Sequence, residues 1–250
     1  YNNKINPHKV NNIREMYAEG LDMLVSGKRL AAYNNFKNII NEDSNNIRSY
    51  IRLGQVLREG GNPLKALKIH KSLLIRKNIS SYEFIELHKN LSLNYLSLGN
   101  QNKSIHEAKK ILENENENEW AILHLISLYK KENNWKEATN YLKVYFDKIG
   151  KRDNHKLALY KIQNARIEIE SSNFDEARSI LDRVLNIDDS LPLTYYFIGK
   201  TYSEESSVEY DKALELDNNG LNSMVDKEVY NSHINNAKNL LSKSIPMWVN

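Results

Sequence analysis

The sequence predicts an all-α protein, a right-handed superhelical solenoid of helix–turn–helix repeats. Three observations predict it. Apolar residues recur at helical spacing along nearly the whole chain. Landmarks repeat at a fixed interval: Gly20 to Gly54 and Ala32 to Ala66 are each 34 residues apart, a period that marks stacked repeats. Finally, the breaks between paired helices fall at one point of the unit, at Gly27, Gly61, Gly99, Asn133 and Ser172. Gly and Asn are the residues that best tolerate the left-handed backbone ending a helix.

Residues 50–74 show the unit most clearly. Tyr50, Leu53, Gly54 and Leu57 precede the break Gly60-Gly61-Asn62-Pro63, and Ala66, His70 and Leu73 follow it. Gly inside a helix costs roughly 1 kcal/mol relative to Ala, so Gly54 is expected where another element approaches closely, with Ala66 as its partner. The first unit repeats the pattern with Met16, Gly20 and Met23, then Ala32, Phe36 and Ile39. The third has Leu91, Ser92 and Tyr95, then Ser104, Ala108 and Ile111. Ala66 to Ser104 is 38 residues, which requires a longer helix or a loop near residues 77–81. The fourth unit, with Trp120, Leu125, Tyr129, Ala138, Leu142 and Tyr145, restores the period. A loop is expected at residues 150–154. The fifth has Ala165, Asn173 as a helix N-cap, and Ala177, Leu181 and Val184, with Asp175 and Glu176 in the first turn where the helix dipole favours acids. The sixth opens at Ser190 and Pro192 and continues through Tyr195, Ile198, Gly199 and Tyr202 to Tyr210, Ala213 and Leu214. It is short of the full unit, so an irregular turn is expected at residues 203–207. The expected organisation is a polar linker or tail over residues 1–12, about six repeats over 13–218, and a capping helix with an apolar tail over 219–250.

The 35 basic and 32 acidic residues leave a formal charge of +3. That near balance argues against a dedicated nucleic-acid binder. The absence of cysteine removes disulfides and thiolate zinc sites and fits a reducing compartment. Apolar runs such as residues 121–129 fall well short of the ~18 residues of a spanning helix. The chain starts at Tyr1 without Met, as expected of a fragment or processed form. The abundant asparagine, including the Glu/Asn run at 113–119, reads as compositional bias and a solvated turn.

Enzyme signatures fail: there is no phosphate loop, dinucleotide fingerprint, HExxH or GxSxG. His70, His88, His106 and His124 fall on four helices without ligand spacing, so no metal or other cofactor is expected. Residues 215–226 follow a calcium-loop pattern only loosely and read as a helix stop. The sequons at Asn78, Asn90 and Asn102 are those an Asn-rich chain produces by chance.

The 34-residue spacing of Leu53-Gly54, Gly61 and Ala66 resembles the tetratricopeptide repeat. In such arrays the first helix of each pair lines the concave face, so its non-core positions would meet a ligand. Arg48, Arg52, Gln55 and Glu59 lie at i, i+4, i+7 and i+11 on one stripe. With Arg58 they suggest a ridge for an acidic peptide or protein surface, or else a solvated face with internal pairing. Lys89, Trp120, Lys130, Arg166 and Tyr196 would continue the face, Trp120 as an anchor or as a packing residue. The carboxylate clamp of some tetratricopeptide co-chaperones needs Lys and Asn where this chain has Tyr17, Leu21, Ile51 and Gln55, which excludes that ligand.

Leu53-Gly54, Arg58, Gly61, Ala66 and Ile69-His70 with Leu73 further resemble the repeat region of the lipopolysaccharide assembly protein B family, with Trp135-Lys136-Glu137-Ala138 and Ile149-Gly150-Lys151 as later matches. His70 stands where most repeats have an aromatic. The resemblance implies a cytoplasmic adaptor at the bacterial inner membrane that tunes lipopolysaccharide synthesis by presenting a biosynthetic enzyme to a membrane protease. In that family a membrane anchor precedes the repeats and a four-cysteine metal module follows them. A peptide-binding scaffold in secretion or multiprotein assembly is the alternative expectation.

Overall fold

The computed structural model describes residues 7–218 and 224–249, and among these all regular structure is helical. The chain forms two compact units, Tyr1–Leu128 and Tyr129–Asn250. The first contains α1 (Pro7–Val25), α2 (Arg29–Glu42), α3 (Ile47–Glu59), α4 (Pro63–Leu73), α5 (Ser81–Ser97) and α6 (Gln101–Asn114). Helix α7 (Glu119–Lys131) crosses the boundary. The second unit contains α8 (Trp135–Ile149), α9 (Asn154–Glu170), α10 (Phe174–Leu185), α11 (Pro192–Asn218) and α12 (Met224–Val249).

The five turns at Gly27, Gly61, Gly99, Asn133 and Ser172 use the residue expected there. Gly27, Gly61 and Gly99 have φ of 72°, 82° and 72°, and Asn133 and Ser172 have 55° and 60°. A left-handed residue reverses the chain after a helix and lets the next amide bond back to an orphan carbonyl. Asn62 N, for example, donates to Leu57 O at 2.8 Å and Asn100 N to Tyr95 O at 2.9 Å. Much of the asparagine is structural: Asn46, Asn100, Asn118 and Asn134 accept from the backbone N–H three residues on, as N-caps do. Asn173 holds the N-cap position of α10, but its side-chain amide donates to Glu168 instead.

The two length irregularities are loops. One runs between α4 and α5 through Asn78, at φ 66°, and ends in the Ser80–Glu83 capping box; the other follows the left-handed Gly150. Cores form where the repeats stack. Ala32, Phe36 and Ile39 of one repeat pack with Leu53 and Val56 of the next, and Ile47, Ile51 and Leu73 with Leu87 and Leu91. In the second unit Ala158, Ile162 and Ala165 pack with Ala177, Leu181 and Phe197.

Three expectations are corrected. Helix α1 begins at Pro7 rather than at Ile13, because Pro suits the first helical position, where no N–H is needed. The turn expected at residues 203–207 does not form: α11 is one helix of 27 residues. Nothing between Tyr202 and Val208 favours leaving the helix, and Ser206 is small enough for α12 to approach, donating from its hydroxyl to Ala237 O at 2.8 Å. The helical backbone of α12 also continues through Pro246, so the expected tail is part of that helix. The calcium-like stretch lies partly outside the described residues.

Candidate protein-binding site

In the first unit, α1, α3 and α5 are the first helices of successive repeats, and Arg52 ties all three together. Its Nε donates to the Tyr17 hydroxyl on α1 at 3.3 Å, and its Nη2 lies 3.0 Å from Glu86 on α5. Its Nη1 donates to Gln55 at 2.8 Å, and Gln55 donates onward to Glu59 at 2.9 Å. Arg48 lies 3.7 Å from Glu83 and 5.2 Å above the Tyr82 ring. Arg58 points inward, donating to Asn90 Oδ1 at 2.8 Å and to Asn94 Oδ1 at 3.5 Å. Each arginine of the stripe therefore has a partner on α5. Burial works against the Arg52 charge, yet Tyr17 and Glu86 outweigh it and raise its pKa, whereas burial lowers that of Arg58 against the pull of Glu59.

Glu86 also carries the strip onward, since Lys89 Nζ lies 3.7 Å from its other oxygen. The same ammonium sits 5.2 Å over Trp120 on α7, and Trp120 stacks on His124 with centroids 4.5 Å apart. His124 Nε2 in turn lies 3.0 Å from the buried Ser92 hydroxyl. Arg52, Gln55, Lys89 and Trp120 are thus joined into one polar and aromatic strip, with Arg48 beside it on Glu83 and Tyr82 and Arg58 turned inward.

Below the strip lies a buried relay. Asn94 Nδ2 donates to His70 Nδ1 at 2.6 Å, and His70 Nε2 lies 3.0 Å from the Ile51 carbonyl. These partners require the neutral ring with its proton on Nε2. Burial pushes the pKa of His70 down to about 4, although the Ile51 carbonyl opposes the shift. It is this ring, and not Ala66, that closes on Gly54: a Cβ there would stand 2.3 Å from His70 Nε2. One period earlier Phe36 closes on Gly20 in the same way, at 2.8 Å.

The candidates of the second unit occupy separate settings. Lys130 Nζ lies 5.8 Å from the Trp135 ring and 5.4 Å from that of Tyr160, which meet edge to face. Arg166 pairs with Glu170 on its own helix at 3.2 Å. Tyr196 meets Phe197 edge-on and is 45% exposed.

Sequence reasoning missed Tyr82, Glu83, Glu86, Asn90 and Asn94, the α5 partners of the arginines. Opposite charges one period apart were the available signal, as Arg52 and Glu86 are separated by 34 residues. Among the described residues no group of His, Asp and Glu is arranged to hold a metal ion. His88 is buried against Glu107, whose pKa is lowered because the bond and charge of His88 overcome burial. Asn90 is buried and bonded at both ends of its amide, so its sequon offers no acceptor for a glycan. The strip fixes donors, acceptors and rings on the first-helix side of the unit, with the Ser92 hydroxyl buried beneath it against His124.

No family model matches the chain. It is similar to lipopolysaccharide assembly protein B of Escherichia coli K12, and equally to that of strain O157:H7, at 20% identity over 208 residues. The alignment covers 83% of this chain and 53% of those proteins, so the chain spans about half the length of the curated relatives it matches. Among solved structures it resembles a tetratricopeptide repeat protein of Parabacteroides merdae at 16% identity and a TM-score of 0.49, covering 96% of this chain and all of that one. It also resembles a tetratricopeptide protein of Thermus thermophilus at 14% identity and a TM-score of 0.45, covering 71% of this chain and 92% of that one. The helix pairs, their period and their left-handed turns make this an all-α fold of tetratricopeptide type. Among the described residues no helix is long and apolar enough to cross a membrane.

Proposed function

We propose that this chain is a non-enzymatic protein-binding scaffold whose first-helix face takes a protein or an extended peptide. The observation that carries the reading is the strip in the first unit, in which Glu86 joins Arg52 to Lys89 and, through it, to Trp120. Arg, Tyr and Trp are the residues enriched at protein interfaces, and here they are held in place before any ligand arrives, which reduces the ordering cost of binding. Because Glu83 and Glu86 already satisfy Arg48 and Arg52, an acidic partner gains these arginines only by displacing a carboxylate. The partner is therefore read chiefly by hydrogen bonds and ring contacts. Lys130, Arg166 and Tyr196 are proposed as further contact points on the second unit.

The finer reading follows the relatives named for lipopolysaccharide assembly: an adaptor at the cytoplasmic face of a bacterial inner membrane that brings an envelope biosynthetic enzyme to a membrane protease. Such an adaptor acts by raising effective concentration and needs no chemistry of its own. The test is capture of partners by the tagged chain and by its Trp120→Ala and Arg52→Glu variants. Loss of the same protein in both, with no turnover by the bound complex, is the expected result. Unchanged capture would remove the strip from the binding site. Removal of the gene with no change in lipopolysaccharide per cell would remove the envelope role and leave the scaffold.

A further inference from the structure

The opposite layer of the first unit carries a different chemistry. The sequence has no Asp or Glu between Asp22 and Glu42, or between Glu59 and Glu83, stretches that contain most of α2 and all of α4. Helix α4 bears Lys65, Lys68 and Lys71, all exposed, and among the described residues no carboxylate pairs with them. Lys71 rests only against the Tyr95 ring, at 5.9 Å. Aliphatic side chains project between these cations. Leu64 is 68% exposed and Ile75, just beyond the helix, is 86% exposed. Leu64, Lys68 and Lys71 follow i, i+4, i+7 spacing, so they share the solvent side of α4, opposite the buried Ala66, His70 and Leu73, and the exposed Ile75 follows in the turn after it. Leu30, which holds the place of Leu64 one period earlier on α2, is 75% exposed beside Lys28 and Arg29.

We propose that this second-helix face of the first unit docks on an anionic lipid surface, with Leu30, Leu64 and Ile75 entering the headgroup boundary and the lysines meeting phosphates. Two arguments favour lipid over an acidic protein. Protein interfaces are enriched in aromatics and Arg and depleted in Lys; the α4 face inverts that composition, while the first-helix face of the same unit follows it. A lysine is also a flexible point charge suited to mobile phosphates, whereas the arginine fork suits carboxylates fixed in place; α4 carries three lysines and no arginine, while Arg48, Arg52 and Arg58 lie on α3. Isolated aliphatic side chains ringed by long lysine stems match an interfacial helix, whose binding combines apolar burial with attraction to anionic lipid.

The experiment is co-sedimentation of the chain with phosphatidylcholine vesicles and with vesicles containing about one-third phosphatidylglycerol, which supplies the anionic surface. Binding is expected only to the second kind and should weaken as salt is raised. A triple variant, Lys65→Glu, Lys68→Glu and Lys71→Glu, is expected to weaken it by about a hundredfold or more. Leu64→Ser with Ile75→Ser, at unchanged charge, is expected to weaken it about tenfold. The Lys→Gln triple variant and a thermal melt separate loss of binding from loss of fold. Equal binding to both vesicles, no binding to either, or indifference to the charge reversals overturns the proposal. So does capture by a soluble acidic polypeptide without vesicle binding, which assigns the face to protein. Trp120→Ala is expected to leave vesicle binding unchanged, so this face and the protein-binding strip stand or fall separately.

Discussion

Phe36 and His70 occupy the same place in consecutive repeats, yet they solve the packing of the second helix onto the first by different means. Phe36 is fully buried in an apolar cluster with Leu53 and Val56. His70 is equally buried but is held from both sides, by the Ile51 carbonyl and by Asn94. The next repeat decides which residue fits. Val56 belongs to the Phe36 cluster, whereas Asn94, at the equivalent place one repeat on, donates to His70. An apolar ring tolerates any well-packed apolar neighbour, whereas a buried imidazole needs one particular partner, because an unmade hydrogen bond in the interior is costly.

Exchanging the residues breaks the comparison most severely. Phe36→His loses apolar burial and faces Val56 with a ring nitrogen that finds no donor there, so a loss of about 4 kcal/mol is expected; chemical denaturation measures it. A smaller effect comes from acid. His70 has a folded pKa of about 4 against 6.5 when unfolded, so the unfolded chain takes up a proton first as pH falls. The stabilisation is complete above about pH 6.5, is lost progressively down to about pH 4, and amounts to on the order of 3 kcal/mol. Denaturation of the native chain and of His70→Phe across that range reads the difference; parallel pH profiles would show that His70 contributes nothing to it. The smallest effect concerns the glycines. A methyl group at Gly54 meets a ring tethered at both nitrogens, while at Gly20 it meets an untethered phenyl edge and the end of the Asn35 side chain. Gly54→Ala is expected to cost about 2 kcal/mol and Gly20→Ala about 1 kcal/mol. Equal losses would mean that the tether on His70 does not stiffen the site.

The same residues show how far the sequence could be read. The five turns were legible because left-handed backbone selects Gly and Asn, and Ser172 followed from its position in the period. The length excesses were legible from the residue count alone, the one near 77–81 as a loop or a longer helix and the one at 150–154 as a loop. The missing turn at 203–207 was not: counting residues required one, but only a helix-breaking residue can make one, and Ser203-Glu204-Glu205-Ser206-Ser207 has none. Gly54 announced a close approach, but the expected partner was Ala66, whereas it is the His70 ring that lies above it. The candidate strip was legible as a set of first-helix positions. Its pairing was not read, although Arg52 and Glu86 stand 34 residues apart, because helical periodicity says which positions share a face and not which carboxylate each arginine meets.

The contacts between the second and third repeats have a bearing on how such a chain can change. Arrays of this kind grow by tandem copying of the underlying gene segment. A copy of residues 50–83 inserted after itself would set His70 against a second Val56 instead of Asn94. The copied junction would then bury an imidazole nitrogen with no donor. His70, Arg58 and Asn94 act as an address written for one particular successor, and the order of these repeats is locked in a way that their shared period alone would not require.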